Sequence, residues 1–128
     1  MLKIAICIDV PDLEGATKFY CDALGCALTE EKSSHNTLSA AGTIVHLARK
    51  EEGSNATGDV TSPRGYARHW TPVHVDFYVE DVDVITPEVV RLGGAVESTK
   101  SGDWGKAAFC ADPYGNGFCL LAIDPSMG

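Results

Sequence analysis

Residues 3–26, KIAICIDVPDLEGATKFYCDALGC, decide how this chain folds, because their pattern returns at residues 72–94, PVHVDFYVEDVDVITPEVVRLGG. Each stretch opens with alternation, continues with a helical period and closes on Leu-Gly. Placing Asp12 on Asp81 sets Ile4, Ile6, Ile8 and Val10 on Val73, Val75, Phe77 and Val79. That is a strand with one apolar face, written twice. Few residues are identical between the copies, so pattern and spacing carry the repeat. A repeat of this length implies two copies of one structural unit.

Working outward, each copy continues with three short strand candidates separated by polar or Gly-containing turns. They are CALTEEK, NTLSAAG and TIVHLAR in the first copy, and AVESTK, KAAFCA and GFCLLAI in the second. The unit therefore reads βαβββ. Asp12 is an N-cap, with Leu13, Ala16, Phe19 and Tyr20 forming the apolar stripe of the first helix. In the second, Pro87 removes an interior hydrogen bond, so the helix is expected to be broken or to start late, with Thr86 as N-cap. A single domain over residues 1–128 is expected, with module one at about 1–50, a Gly/Ser/Pro-rich linker or long loop at about 51–71, and module two at about 72–124. Near the end, ADPYGNGFCLL carries Asp, Pro and Gly at the positions of a type I turn, followed by a strand.

Composition narrows the function. Across 128 residues, 45% hydrophobic and 22% charged content are those of a soluble globular domain. A formal charge of −8 argues against nucleic acid, which requires a basic face. The longest apolar runs are too short to span a membrane, and the N-terminus lacks a signal-peptide pattern, so a cytoplasmic protein is expected. Five cysteines without a CxxC pair argue against a disulfide framework. The sequon at Asn55 is idle in such a compartment.

Strand alternation sorts the polar residues. With the apolar faces packed under helices, the other faces carry Ala5, Cys7 and Asp9, then His74, Asp76 and Tyr78. On the closing strands, His46 and Cys119 fall on that same non-helix side. A solvated sheet face and a cleft lining are both consistent with this pattern. Among loop aromatics, Trp104 in SGDWGKAAF leads into a bordering strand and is taken as a ligand contact, ahead of Trp70, Tyr66 and Tyr114. Arg64, Arg68 and His69 form the one basic cluster, which either accepts an anion or offsets the acidic surface. Asp9 and Asp76 point to a cationic or hydrogen-bond-donating ligand.

The paired units, the helix entry DVPDLEGATKFYCDALG and the closing ADPYGNGFCLL resemble the vicinal oxygen chelate superfamily, which includes glyoxalase I, extradiol dioxygenases, fosfomycin-resistance transferases and bleomycin-binding proteins. The resemblance spans about Lys3 to Ile123. It implies an α+β fold of duplicated βαβββ modules forming an open eight-stranded barrel around a cleft, and a homodimer, in some members by module exchange. Catalytic members hold a divalent metal with a His on each leading strand and a Glu on each closing strand. Those positions fall on Ala5, His46, His74 and Cys119, of which only His74 is of the usual type.

This departure sets the functional expectation. The protein is read as a metal-free small-molecule binder of the bleomycin-resistance or sequestration type. His46, His74, Asp76, Tyr78, Trp104 and Cys119 line the site, and no catalytic residue is assigned. The alternative is a glyoxalase-like lyase or isomerase holding Zn²⁺ or another divalent metal through His46, His74 and Cys119. Cys119 as a nucleophile with His74 as base is disfavoured, because FCLL is an apolar setting that raises a thiol pKa.

Overall fold

The computed structural model describes residues 1–123. It divides into two compact units, residues 1–67 and residues 68 onward. Module two, expected to end at about 124, thus has its last position outside the described residues.

In the first unit, β1 (Ala5–Val10), α1 (Leu13–Asp22), β2 (Ala27–Glu31), β3 (His35–Ala40) and β4 (Thr43–Arg49) follow in order. They build a four-stranded sheet of order β1-β4-β3-β2, with β1 and β4 parallel and the other pairs antiparallel. The second unit repeats this with β5 (Val75–Tyr78), α2 (Val82–Arg91), β6 (Ala95–Gly102), β7 (Gly105–Ala111) and β8 (Gly117–Ile123), in the order β5-β8-β7-β6. The duplicated βαβββ modules of an α+β protein are therefore present. Even the irregularities recur: the second strand of each module has a bulge, between Leu28 and Glu30 and between Val96 and Ser98.

Helix α1 forms where the pattern places it. Asp12 Oδ1 accepts from Gly15 N at 3.1 Å, and Leu13, Ala16, Phe19 and Tyr20 are buried. They pack with Val10, Leu38, Val45 and Leu47 into the core of the module. Each of the larger aliphatic and aromatic side chains contributes roughly 2 kcal/mol on burial. Gly25, at φ +77°, turns the chain out of the helix, a conformation that favours glycine. Buried Asn36 ties the helix to the hairpin, donating to Thr17 Oγ1 at 2.9 Å and accepting from Lys32 N at 3.3 Å.

Helix α2 corrects the expectation at Pro87. It runs unbroken from Val82 to Arg91 with Pro87 inside, and its N-cap is Asp81, not Thr86. Asp81 Oδ1 accepts from Asp83 N at 2.9 Å. Tertiary packing outweighs the lost backbone bond, because Val82 and Val89 are buried in the core with Ala108, Cys110, Phe118 and Leu120. The leading strand of module two is shorter than its pattern: Val73 is 84% exposed and pairing begins only at Val75.

The DPYGN turn is held by its aspartate. Asp112 is buried and accepts from Tyr114 N at 2.8 Å, Asn116 N at 3.0 Å and Asn116 Nδ2 at 3.0 Å. Gly115 N donates back to Asp112 O at 3.3 Å, and Tyr114 has no positive φ, as a type I turn requires. A Cβ on Gly93 would lie 3.5 Å from the Pro113 ring, so this turn seats against the end of α2.

Residues 51–67 are a folded loop of the first unit. Backbone bonds join Gly53 to Arg64, Arg64 to Ser54 and Ala56 to Ser62. Arg64 Nε anchors the loop to β1 through Asp9 Oδ2 at 2.8 Å, and Tyr66 donates to Lys50 O at 2.8 Å. Asp9, expected to face a cationic ligand, is thus already paired with Arg64.

Candidate functional site

Strand register places the chemistry-bearing residues of module two on one face of its sheet. Asp76 on β5 stands opposite Cys119 on β8, which stands opposite Phe109 on β7, which stands opposite Ser98 on β6. The next row of that face is Tyr78, Leu121, Ala107 and Lys100. His74 precedes Asp76 by two residues and shares its face. The other face, with Val75, Phe77, Phe118, Leu120 and Cys110, is the one beneath α2.

The polar centre is a linked trio. His74 Nε2 lies 3.2 Å from Asp76 Oδ1, and the ligand-type atoms of His74, Asp76 and Cys119 all fall within 4.8 Å of one another. His74 and Asp76 are exposed while Cys119 is buried at 4% exposure, so the thiol forms the floor and the other two the accessible surface. Burial pushes the Cys119 thiol up to about 11, helped by the charge of Asp76 and by the hydrogen bond to it. At neutral pH Cys119 is therefore a neutral S–H donor to the Asp76 carboxylate.

One end of the face is walled by aromatic and charged groups. Trp70 meets the His74 ring edge-on at 5.6 Å and the Phe109 ring at 6.3 Å. The Arg68 guanidinium sits 4.4 Å over the Trp70 ring. Glu97 binds both, taking Arg68 at 2.6 and 2.8 Å and Trp70 Nε1 at 3.0 Å. Arg68 hydrogen bonding, first among the causes, lowers the Glu97 pKa. Glu97 is the extra residue of the β6 bulge, a device that re-aims a side chain. Gly117 is needed beneath this wall, since a Cβ there would lie 2.9 Å from Arg68 Nη2 and from the Trp70 ring.

The opposite end is marked by Trp104. A Cβ on Gly102 would lie 2.8 Å from Trp104 Nε1, so the indole covers the position that follows Ser98 and Lys100 on the same face. It stands beside the Gly105–Ile123 row, about 13 Å along β8 from Cys119. Thus His74, Asp76, Tyr78, Cys119 and Trp104 share one face, with Trp104 remote from the trio. The aromatic residues at the trio itself are Trp70 and Phe109. Sequence reasoning weighed Trp70 and set it behind Trp104, and missed Phe109, whose only signal was its hairpin register opposite Cys119.

His46 occupies the corresponding place in module one, opposite Cys7 as Cys119 is opposite Asp76. Its Nδ1 is engaged by His35 Nε2 at 2.9 Å and Thr37 Oγ1 at 3.1 Å. Among the described residues, the cluster suited to a metal is His74, Asp76 and Cys119, drawn from module two alone and without His46. Imidazole, carboxylate and thiol are all acceptable to Zn²⁺, provided the thiol loses its proton on binding. The basic cluster resolves into structural roles, Arg64 on Asp9 and Arg68 on Glu97. No helix among the described residues is long and apolar enough to cross a membrane.

The duplicated βαβββ architecture is the one that the resemblance to the vicinal oxygen chelate superfamily implies. Residues 5–121 match the glyoxalase-like domain family, and the chain belongs to it. Among solved structures, the chain is similar to the genomically encoded fosfomycin resistance protein FosX from Listeria monocytogenes, at 18% identity and a TM-score of 0.74, covering 99% of this chain and 97% of that one. A form of that protein complexed with Mn(II) and sulfate matches with a TM-score of 0.72 at 18% identity, covering 98% and 92%. Lactoylglutathione lyase from Agrobacterium tumefaciens matches with a TM-score of 0.65 at 20% identity, covering 93% and 91%. At these identities the likeness is one of fold. No curated protein sequence matches.

Proposed function

We propose that the protein binds a small organic molecule on the His74–Asp76–Cys119 face of module two, and that this binding needs no metal. The observation that carries the reading is the trio itself. Its buried member is a neutral thiol already bonded to Asp76, while exposed His74 and Asp76 offer hydrogen bonds beside Trp70, Phe109 and Tyr78. Ala5 and the engaged His46 Nδ1 leave module one poorly furnished with ligand atoms. Sequestration of a drug-like molecule, as in bleomycin-binding relatives, needs only such a surface. The test is calorimetry with bleomycin, fosfomycin and lactoylglutathione, before and after exhaustive chelation. Binding that survives chelation supports the proposal; binding restored only by added metal overturns it.

The second reading is a glyoxalase-like lyase or isomerase, favoured by the 4.8 Å grouping of His74, Asp76 and Cys119. Those three residues would hold a divalent ion, which would supply Lewis-acid polarisation of a bound oxygen. Zinc titration with elemental analysis separates the two. Under the binding reading, Cys119→Ser changes ligand affinity by less than about threefold, since a small neutral donor replaces another. Under the metal reading it empties the site.

We also propose that the protein is cytoplasmic and forms a homodimer, the dimer being supported by the exposed edge strands β2 and β6, which a second chain would cover. Sedimentation velocity at micromolar concentration showing a 13.6 kDa species alone would overturn it.

A further inference from the structure

The binding face is electrically polar along its length. Asp76 sits on edge strand β5 and Lys100 on edge strand β6, with Cys119, Leu121, Ala107 and Phe109 between them. The Asp76 carboxylate accepts from His74 and Cys119, yet its side chain is 40% exposed, and a carboxylate has about four lone-pair sites. Lys100 Nζ lies 5.5 Å from the Phe109 ring centroid, leaning back across the sheet over an aromatic face. The other cation at the face, Arg68, is committed to Glu97. Phe109 is two strands from β5 and the Lys100 ammonium is 5.5 Å from its ring, so the two charges stand on the order of 10–15 Å apart across an apolar floor.

From this juxtaposition we infer that the ligand is a flat, dipolar molecule. Its ammonium or other cationic donor is taken by Asp76 and His74, its ring lies on Phe109 and Leu121 against the Trp70 wall, and its carboxylate or phosphonate is taken by Lys100. Lys100 is then a specificity-determining residue that separates zwitterions from simple amines. The inference deepens the binding reading above and rests on it. It goes beyond that reading by naming both charges of the ligand and the strand that receives each.

The test uses three probes of one ring size: para-(aminomethyl)benzoate, benzylamine and benzoate. Each is titrated into the full-length protein and followed by NMR of the Trp70 indole and of the Asp76, Phe109 and Cys119 amides. The expected result is that the zwitterion binds about fivefold more tightly than either single-charge probe, the increment of one exposed ion contact. Lys100→Gln should reduce the zwitterion to the benzylamine level, and Asp76→Asn should reduce it to the benzoate level. Lys100→Met, which keeps the aliphatic stem on Phe109, guards against a packing effect and should behave as Lys100→Gln. Equal affinity of zwitterion and benzylamine, unchanged in both Lys100 variants, overturns the inference while leaving the binding reading intact. If no probe perturbs these resonances, both fall.

Discussion

Cys119 shows how one side chain is governed by its surroundings. Burial and the neighbouring Asp76 carboxylate hold its thiol at about 11, so thiolate is scarce at neutral pH. Cys7 is also raised, by burial and by Asp9, but it is exposed. Brief iodoacetamide treatment at pH 7 should therefore alkylate Cys7 while Cys119 stays unmodified, as read by peptide mass spectrometry. Rapid modification of Cys119 would mean that its thiol is activated, contrary to its setting. Asp112 is the second decisive residue, since three donors converge on its buried carboxylate. Asp112→Ala strands those donors and should cost about 2–3 kcal/mol in chemical denaturation, whereas Asp112→Asn should cost less. The role of Asp112 was legible from DPYGN alone, because Asx-type bonding is local. The role of Cys119 was half legible: alternation placed it on the non-helix face, but only register showed Asp76 beside it.

Elements carry the next set of consequences. In α2, Pro87 sits mid-helix without an N–H to offer Asp83 O, and the helix persists because Val82 and Val89 anchor it. Pro87→Ala should restore the bond and stabilise the protein by about 1 kcal/mol or more, partly offset by a freer unfolded chain. A lower melting temperature in that variant would show that the proline serves packing instead. The bulge in β6 has a different use, presenting Glu97 to Arg68 and Trp70. The pKa of Glu97 is lowered, chiefly by Arg68, from an ordinary value of 4.5. Its stabilising contribution is thus present above pH 4.5 and is lost as pH falls through the lowered value. Trp fluorescence should stay constant on acidification to pH 4.5 and change only below it. Glu97→Gln should remove that transition and alter the neutral spectrum. Sequence patterning could not reveal this wall: a bulge interrupts the period of two on which strand reading depends, and Arg68 and Trp70 read as loop residues.

At the scale of the whole molecule, three buried thiols make the protein sensitive to alkali. Burial raises Cys26, Cys110 and Cys119 to about 11, 12 and 11 from an ordinary 9.0. Because folded values exceed unfolded ones, the stability they confer is complete below pH 9 and is lost as pH rises towards 11. Each thiol costs about 1.4 kcal/mol per pH unit in that window. Two of the three lie in the second unit, which also holds both tryptophans, so fluorescence-detected unfolding by guanidinium should shift to lower denaturant between pH 9 and 11. A midpoint unchanged across that range would contradict it. The division of labour between sequence and structure follows from range. Period-two strands, the Asp12 cap, the DPYGN turn and the duplication all rest on neighbours in sequence, so the chain determined the βαβββ module twice over by itself. Tertiary structure decided that α2 would run through Pro87, that Arg64 would take Asp9, and that Trp70 and Phe109 would flank the trio. Each of those outcomes depends on a register, a bulge or a packed core that joins residues distant in sequence, and local periodicity does not encode that pairing.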